Sequence, residues 1–167
     1  MDNLRFAILT ISDRSFSGTR ADLSGPVLVR AVINAGWQIT KTEIVPDDFG
    51  RIRNSILLWC EENIADIILT TGGTGFSPRD ITPEVTKSIV ERETPGLCEA
   101  MRNASIAITP NAMLSRAAAG IRRTTLIVNL PGSPKGALEN FNVIKPVLHH
   151  AIELLWDDPS AEQGHQK

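Results

Sequence analysis

Residues 66–71 form a run, Asp-Ile-Ile-Leu-Thr-Thr, that is too apolar to leave one face of a strand in water. Strands that are buried on both faces belong mainly to parallel sheets covered by helices. The runs at 4–11 and 124–129 have the same apolar character, and residues 37–45 alternate well enough for a further strand. These patterns predict a sheet that is covered on both faces.

Helix signals lie between the predicted strands. Residues 24–26 offer a helix start, and Gly36 marks its end. Asp48 is placed to cap a second helix, and residues 82–84 (Thr-Pro-Glu) combine a capping hydroxyl, an N1 proline and an acid in the first turn. The alternation of strand and helix predicts a three-layer α/β/α fold with a mainly parallel sheet.

The 167 residues correspond to about one domain, which we place at residues 1–156. The polar residues 157–167 are expected to form a disordered tail. Two helices are expected to close the domain, with Pro146 in the first turn of the second. Residues 103–123 give no clear pattern.

Composition excludes several classes of protein. Seventeen Lys and Arg against nineteen Asp and Glu give a net charge of −2, which argues against a nucleic-acid binder. The apolar run at 6–11 is far shorter than a membrane span, and the first residues lack the pattern of a signal peptide. Cys60 and Cys98 form no CxxC motif, so we expect free thiols in a reducing cytoplasm and no structural zinc.

Unusual residues cluster where the predicted strands end. They are residues 12–14 (Ser-Asp-Arg), 46–48 (Pro-Asp-Asp), 71–75 (Thr-Gly-Gly-Thr-Gly) and 131–135 (Pro-Gly-Ser-Pro-Lys). The carboxyl ends of parallel strands share one edge of a sheet, and ligands bind there at a switch in strand order. The sequence therefore predicts that these loops meet at one site.

The glycine loop at 71–75 lies at the centre of that site. Three glycines in four positions permit positive φ and a close approach to bare backbone amides, which can hold an anion. The loop is neither a Walker A motif nor a GxGxxG motif. A tight turn without a ligand explains the pattern about equally well.

Asp47 and Asp80 are the strongest candidates for chemistry. A single aspartate at a strand end is more often a cap or turn residue. At 4 Å, however, an acid and a phosphate charge repel each other by about 4 kcal/mol at an effective dielectric of 20. Acidic side chains beside a phosphate-binding loop therefore indicate a divalent cation between the acids and the phosphate. Oxygen ligands favour Mg²⁺ for that cation.

Other polar residues allow two interpretations each. Ser115 and Arg116 could bind a ligand; alternatively, Ser115 could cap a helix and Arg116 could be a surface ion. Lys135 could neutralise phosphate, or it could be a solvated side chain. Side chains such as Met101 could belong to the core or to a subunit contact. No Ser/His/Asp or Cys/His set is recognisable, which disfavours a covalent nucleophile.

Several ordered motifs together resemble the MogA/MoaB molybdopterin-binding family. The resemblance covers nearly the whole chain except its C-terminal tail. The matching segments are residues 11–14, 22–26, 69–75, 79–84, 93–96, 114–116, 120–122 and 129–135. Residues 76–78 fall in a stretch that varies within the family, and the chain lacks the longer insertion of some MogA proteins.

The resemblance implies a three-layer α/β fold, usually a trimer, and adenylylation of molybdopterin with Mg-ATP and release of pyrophosphate. It assigns Asp47 and Asp80 to catalysis, through Mg²⁺. It further implies hand-over of the product to the molybdenum insertase. The residues that it implies in substrate binding are Asp13, Thr71, Gly72, Gly73, Thr74, Gly75, Ser115, Pro131 and Gly132.

Two alternatives remain open at this point. One is a MoaB-like protein that binds or scaffolds molybdopterin without catalysing the step; the turn at 129–135 favours the MogA-like branch over it. The other is the insertase itself, which shares this domain design but normally carries additional domains.

Overall fold

The computed structural model describes residues 3–157, so the predicted disordered tail lies outside the described residues except for Asp157. The strands are β1 (Arg5–Ile11), β2 (Gln38–Val45), β3 (Ile67–Thr71), β4 (Arg92–Glu93), β5 (Ala119–Arg122) and β6 (Thr125–Leu130). The helices are α1 (Asp13–Phe16), α2 (Ser24–Asn34), α3 (Phe49–Glu61), α4 (Thr82–Ile89), α5 (Pro95–Ile106) and α6 (Pro134–Leu155), with a 3₁₀ helix at Pro110–Leu114.

All six strands belong to one sheet, in the order β2-β1-β3-β6-β5-β4. The first four strands in this order, β2, β1, β3 and β6, run parallel to one another, as the apolar runs predict. Strand β5 is antiparallel to both of its neighbours, β6 and β4. The sheet is thus mainly parallel, and its strand order reverses direction between β1 and β3.

The core has two layers because side chains alternate across the sheet. In β1, Phe6 and Ile8 face one cluster, whereas Ala7 and Leu9 face the other. The first cluster is completed by α2, α5 and α6, and the second by α3 and α4. This arrangement confirms the predicted three-layer fold. Within residues 3–157, no helix has both the length and the apolar character that crossing a membrane requires.

The prediction that Pro146 starts a new helix is wrong. Helix α6 runs unbroken through it. An internal proline removes one hydrogen bond and costs about 3 kcal/mol. Here Pro146 and Asn142, whose carbonyl loses its donor, are both exposed, so water can reach that carbonyl. Burial of Ile144 and Leu148 on either side of the proline keeps the helix on the sheet.

Candidate active site

Four loops meet at the carboxyl edge of the parallel strands, as predicted. The register sets Thr10 opposite Thr71, Ile11 opposite Val45, and Thr71 opposite Leu130, so the strands end at nearly the same level. The loops after β1 and β3 flank the point where the strand order reverses, which is where ligands bind in open α/β sheets.

The glycine loop depends on positive φ at two positions. Gly72 has φ 108° and Gly73 has φ 64°. A side chain at Gly72 would collide with the carbonyl oxygen of Ile11, and one at Gly73 with the hydroxyl of Thr82. Only glycine therefore allows the loop to lie this close to its neighbours.

The hydroxyl of Thr82 does not cap α4, contrary to the prediction. Residue Ile81 occupies the N-cap position, without a side-chain cap, and Thr82 lies inside the helix. Its Oγ1 instead donates to the carbonyl of Gly72 at 2.9 Å, and its amide donates to the carbonyl of Gly73 at 3.1 Å. The start of α4 thereby fixes the glycine loop.

The amides of this loop divide into two groups. The Gly72 amide donates to Leu130 and extends the sheet. Within residues 3–157, no protein acceptor takes the amides of Gly73, Thr74 or Gly75. Consecutive unpaired amides in a left-handed turn form a concavity that suits an anion. The geometry therefore agrees with the predicted anion seat.

Three aspartates lie around this seat. The Asp13 amide donates to Asp47 Oδ2 and the Asp47 amide donates to Asp13 Oδ1, both at 3.0 Å, so the loops after β1 and β2 hold each other. Asp80 accepts from the Ser77 amide at 3.0 Å, and the positions of Gly73 and Gly75 lie directly against Asp47 and Asp80 respectively. The structure thus brings Asp13, Asp47 and Asp80 together.

The electrostatics of the three acids are uneven. Arg79 donates to Asp13 Oδ2 from Nε at 3.1 Å and from Nη2 at 2.7 Å. Asp47 has no arginine bonded to it, and burial raises the pKa of its carboxyl above the ordinary value. The hydrogen bond from the Asp13 amide and the positive charge of Arg79 lower that pKa, while the negative charges of Asp13 and Asp80 raise it. The Asp47 carboxylate is therefore partly removed from water and lies close to other negative charges.

These residues fit a magnesium ion held jointly with a ligand. Among the described residues, no cluster of three or more His, Cys, Asp or Glu side chains forms a complete metal site. Asp47 Oδ1 accepts no hydrogen bond within the part of the chain that the structure describes. Mg²⁺ commonly takes one or two carboxylates and completes its shell with water and substrate phosphates.

Two cavities, each of about 570 Å³, lie on either side of the glycine loop. The acidic cavity is lined by all three aspartates together with Thr71, Gly72, Gly73, Arg79 and Gly132. The second cavity is lined by Thr74, Gly75, Ser115, Pro131 and groups from α5, the 3₁₀ helix and α6. The predicted substrate-binding residues are thus divided between two cavities that share one wall.

The contacts of some side chains at this edge do not follow from the sequence. Arg79 adjoins Asp80 in sequence, yet its ion pair is with Asp13. Arg14 and Arg20 also line the acidic cavity. The Thr71 hydroxyl, in contrast, donates to the carbonyl of Pro131 at 2.7 Å and ties the two loops together.

The chain is similar to known proteins over most of its length. Residues 7–150 match the family model described as "Probable molybdopterin binding domain". The molybdopterin adenylyltransferase of Helicobacter pylori is 39% identical, and the match covers 93% of this chain and 89% of that protein. The molybdopterin biosynthesis enzyme MoaB of Thermus thermophilus has a TM-score of 0.88 at 44% identity, covering 93% of this chain and 98% of its own.

Longer proteins contain a similar region. Gephyrin of Dictyostelium discoideum is 44% identical over 92% of this chain, and the match covers 23% of gephyrin. This chain therefore spans about a quarter of the length of that relative. The strand order, the glycine loop and the match over residues 7–150 lead to one conclusion: the chain belongs to the molybdopterin-binding-domain family of molybdenum cofactor biosynthesis.

Proposed function

We propose that this chain is a molybdopterin adenylyltransferase, which transfers AMP from Mg-ATP to the phosphate of molybdopterin and releases pyrophosphate. One observation carries the proposal: Asp13, Asp47 and Asp80 converge beside a glycine loop in which the amides of residues 73–75 are unpaired in the described structure. Relatives matched over nearly their whole length bear the name of this activity.

The reaction needs alignment more than a protein nucleophile. A phosphate oxygen of molybdopterin forms a bond to the α-phosphorus of ATP, and the bond from that phosphorus to the oxygen bridging the β-phosphate breaks. The electron pair leaves with pyrophosphate. Positioning and charge neutralisation dominate such reactions. Burial raises the pKa of Cys60 and Cys98 to about 11, so both are neutral thiols at pH 7, and neither lines the acidic cavity.

The acidic cavity suits the triphosphate of ATP. The Gly73 amide would bind a phosphate oxygen in this cavity, and Asp47 and Asp80 would hold Mg²⁺ there. Thr74 and Gly75 line the second cavity, so their amides would bind a phosphate oxygen that lies between the two cavities. Mg²⁺ bound there would neutralise phosphate charge and make the α-phosphate more electrophilic. Asp13 fixes the backbone of Asp47 through their paired hydrogen bonds, which keeps the Asp47 carboxylate directed at the loop.

The second cavity suits the pterin part of molybdopterin. Its wall combines apolar side chains such as Met101 and Leu114 with polar ones such as Ser105, Ser115 and Asn140. A flat ring with several hydrogen-bonding edges requires such a mixture. The glycine loop lies between the two cavities, so a phosphate attached to a ligand in the second cavity would reach the loop that holds the triphosphate.

A protein that only binds molybdopterin is not favoured. Arg79 neutralises Asp13, but Asp47 and Asp80 have no ion pair in the described structure and would weaken phosphate binding beside the loop unless a cation lay between them. Their convergence is expected where a metal-bound nucleotide has to be placed.

The proposal includes a homotrimer, hand-over of the product to the insertase, and a cytoplasmic location. Ile108, Met113 and Leu114 are exposed apolar side chains close to the second cavity, which supports a contact between subunits there. Met101 itself is buried in the core. Both cysteines are free, buried thiols, in keeping with a reducing compartment. Analytical ultracentrifugation tests the assembly.

The function is tested by incubating the purified chain with molybdopterin, ATP and MgCl₂. We expect pyrophosphate and adenylyl-molybdopterin in equal amounts, identified by an enzyme-coupled assay and by mass spectrometry. Chelation of the metal with EDTA should stop both products. Binding of molybdopterin without either product would instead indicate the binding-only alternative.

A further inference from the structure

Arg116 lies between the 3₁₀ helix and β5, and it contacts the site from outside. It lines neither cavity, and its side chain is about one-third exposed. Its amide donates to the carbonyl of Thr74 at 2.9 Å. Its guanidinium donates from Nε to the carbonyl of Gly75 at 2.7 Å and from Nη2 to the carbonyl of Asp80 at 2.6 Å.

A fourth contact of Arg116 holds its guanidinium group in place. Arg116 Nη1 pairs with Glu84 Oε1, in the first turn of α4. A planar guanidinium with several donors in fixed directions can join several acceptors rigidly. Arg116 therefore connects the glycine loop, the backbone of Asp80 and the start of α4.

The segment that Arg116 connects has little other support. Phe76, Ser77, Pro78 and Arg79 are all exposed, so burial does not fix their position. Their remaining bonds are mostly internal, such as those between Ser77 and Asp80. The ion pair of Arg79 with Asp13 is itself exposed, and exposed ion pairs contribute little to the stability of a segment.

Arg116 also sets the direction of a loop amide. The carbonyl of Thr74 points at the Arg116 amide, and a trans peptide turns the N–H of the next residue the opposite way. The Gly75 N–H is thereby directed away from Arg116. One residue thus orients part of the anion seat and also the backbone that carries Asp80.

We propose that Arg116 is a positioning residue for adenylyl transfer: it holds the Gly75–Asp80 segment so that Asp80 and the loop amides meet the same ligand. This inference rests on the proposed function. Among the described residues, the Arg116 side chain donates hydrogen bonds to two carbonyl groups and to Glu84, and it lines neither cavity, so it acts through these groups and not on the substrate.

The test compares Arg116→Met with Arg122→Met. Arg122 is a matched control because it also joins a carbonyl, that of Ile89, to a carboxylate, that of Glu61, but at the opposite edge of the sheet. Amide hydrogen exchange is measured without any ligand. We expect the Ser77 and Asp80 amides to exchange about 10-fold faster or more in Arg116→Met and not in Arg122→Met, since charged hydrogen bonds are lost.

A second measurement determines the affinity of the site for a divalent cation. Binding of Mn²⁺ with a non-cleavable ATP analogue, followed by electron paramagnetic resonance, should weaken about 10-fold in Arg116→Met. The Mg²⁺ concentration for half-maximal rate should rise in parallel, while the KM for molybdopterin stays within about twofold. Arg116→Lys should recover only part of the loss, because an ammonium cannot reproduce the fork.

Unchanged exchange at Ser77 and Asp80 in Arg116→Met would overturn the proposal. So would equal changes in Arg122→Met, since they would indicate a general loss of stability. A wild-type chain that transfers no AMP would refute the proposed function, yet the exchange comparison would still decide whether Arg116 holds this segment.

Discussion

The carboxylates at the two edges of the sheet have different surroundings. At the amino edge, Asp66 is 2% exposed and accepts from both the amide and the guanidinium of Arg5. Glu61 there pairs with Arg122 and Arg123. At the carboxyl edge, Asp47 has no arginine bonded to it and lies near two further acids.

The pKa shifts agree with this contrast. The hydrogen bond from Arg122 lowers the pKa of Glu61, whereas burial raises the pKa of Asp47. Asp66 and Glu61 at the amino edge are neutralised by arginines within the fold. At the carboxyl edge Arg79 pairs with Asp13, whereas Asp47 and Asp80 have no ion pair in the described structure, and an unpaired carboxylate is what a cation needs.

Removing a paired acid should have the largest effect on stability. We expect Asp66→Ala to lower the free energy of unfolding by about 3 kcal/mol, because it removes the buried carboxylate that pairs with the Arg5 guanidinium and leaves the Arg5 amide without its acceptor. Urea denaturation measures this. As a control, Asp48→Ala removes only the cap of α3 and should cost about 1 kcal/mol. Equal losses would contradict the contrast between the edges.

Removing the uncompensated acids should affect activity instead. Asp47→Asn and Asp80→Asn are each expected to slow adenylyl transfer about 100-fold or more, since the proposed cation loses a ligand. Pyrophosphate release measures the rate. Asp48→Asn is the matched control, because Asp48 adjoins Asp47 in sequence but caps α3 and lines neither cavity. Similar rates in all three variants would refute the proposed roles.

Two glycines with positive φ allow the edges to be compared at the level of the backbone. Gly36, before β2, has φ 83° and open space around it, whereas Gly72 faces the carbonyl of Ile11. We expect Gly36→Ala to cost about 1 kcal/mol from the left-handed backbone alone. Gly72→Ala should cost about 2–3 kcal/mol, since the loop must also move. Thermal and urea unfolding of both variants would show whether close approach adds to backbone strain.

The smallest expected effect is a gain in stability. Without metal at pH 7.5, Asp47→Asn should raise the Tm by about 1–2 °C, because it removes a carboxylate whose ionisation burial disfavours. Because folding raises this pKa, the wild-type penalty exists above the folded pKa and disappears once the pH falls below the ordinary aspartate value. The gain should therefore vanish in acid. A lower Tm for the variant at pH 7.5 would show that Asp47 stabilises the fold.

Much of the fold could be predicted because its signals are local. The apolar run of β3, the Asp48 cap and the end of α2 near Gly36 all depend on neighbouring residues. Strand β5 could not be predicted. It joins β6 through a turn at Arg123, which has φ 52°, and arginine carries none of the usual turn signal.

The candidate site could be predicted in part for the same reason. Strand ends and glycines place Asp47, Asp80 and the loop at one edge, without knowledge of tertiary contacts. The positions of Arg79 and Arg116 could not be inferred, because a long arginine side chain reaches partners 66 and 41 residues away in sequence. The division of the edge into two cavities also depends on where α5 and α6 lie.

The partition formed by residues 72–75 has a thermodynamic consequence. The same backbone bounds the nucleotide-sized space on one side and the mixed apolar space on the other. An occupant that shifts this partition from one side alters the affinity on the other, and linkage requires the factor to be identical in both directions. Any movement of these four residues of main chain would thus couple the occupancy of the two spaces.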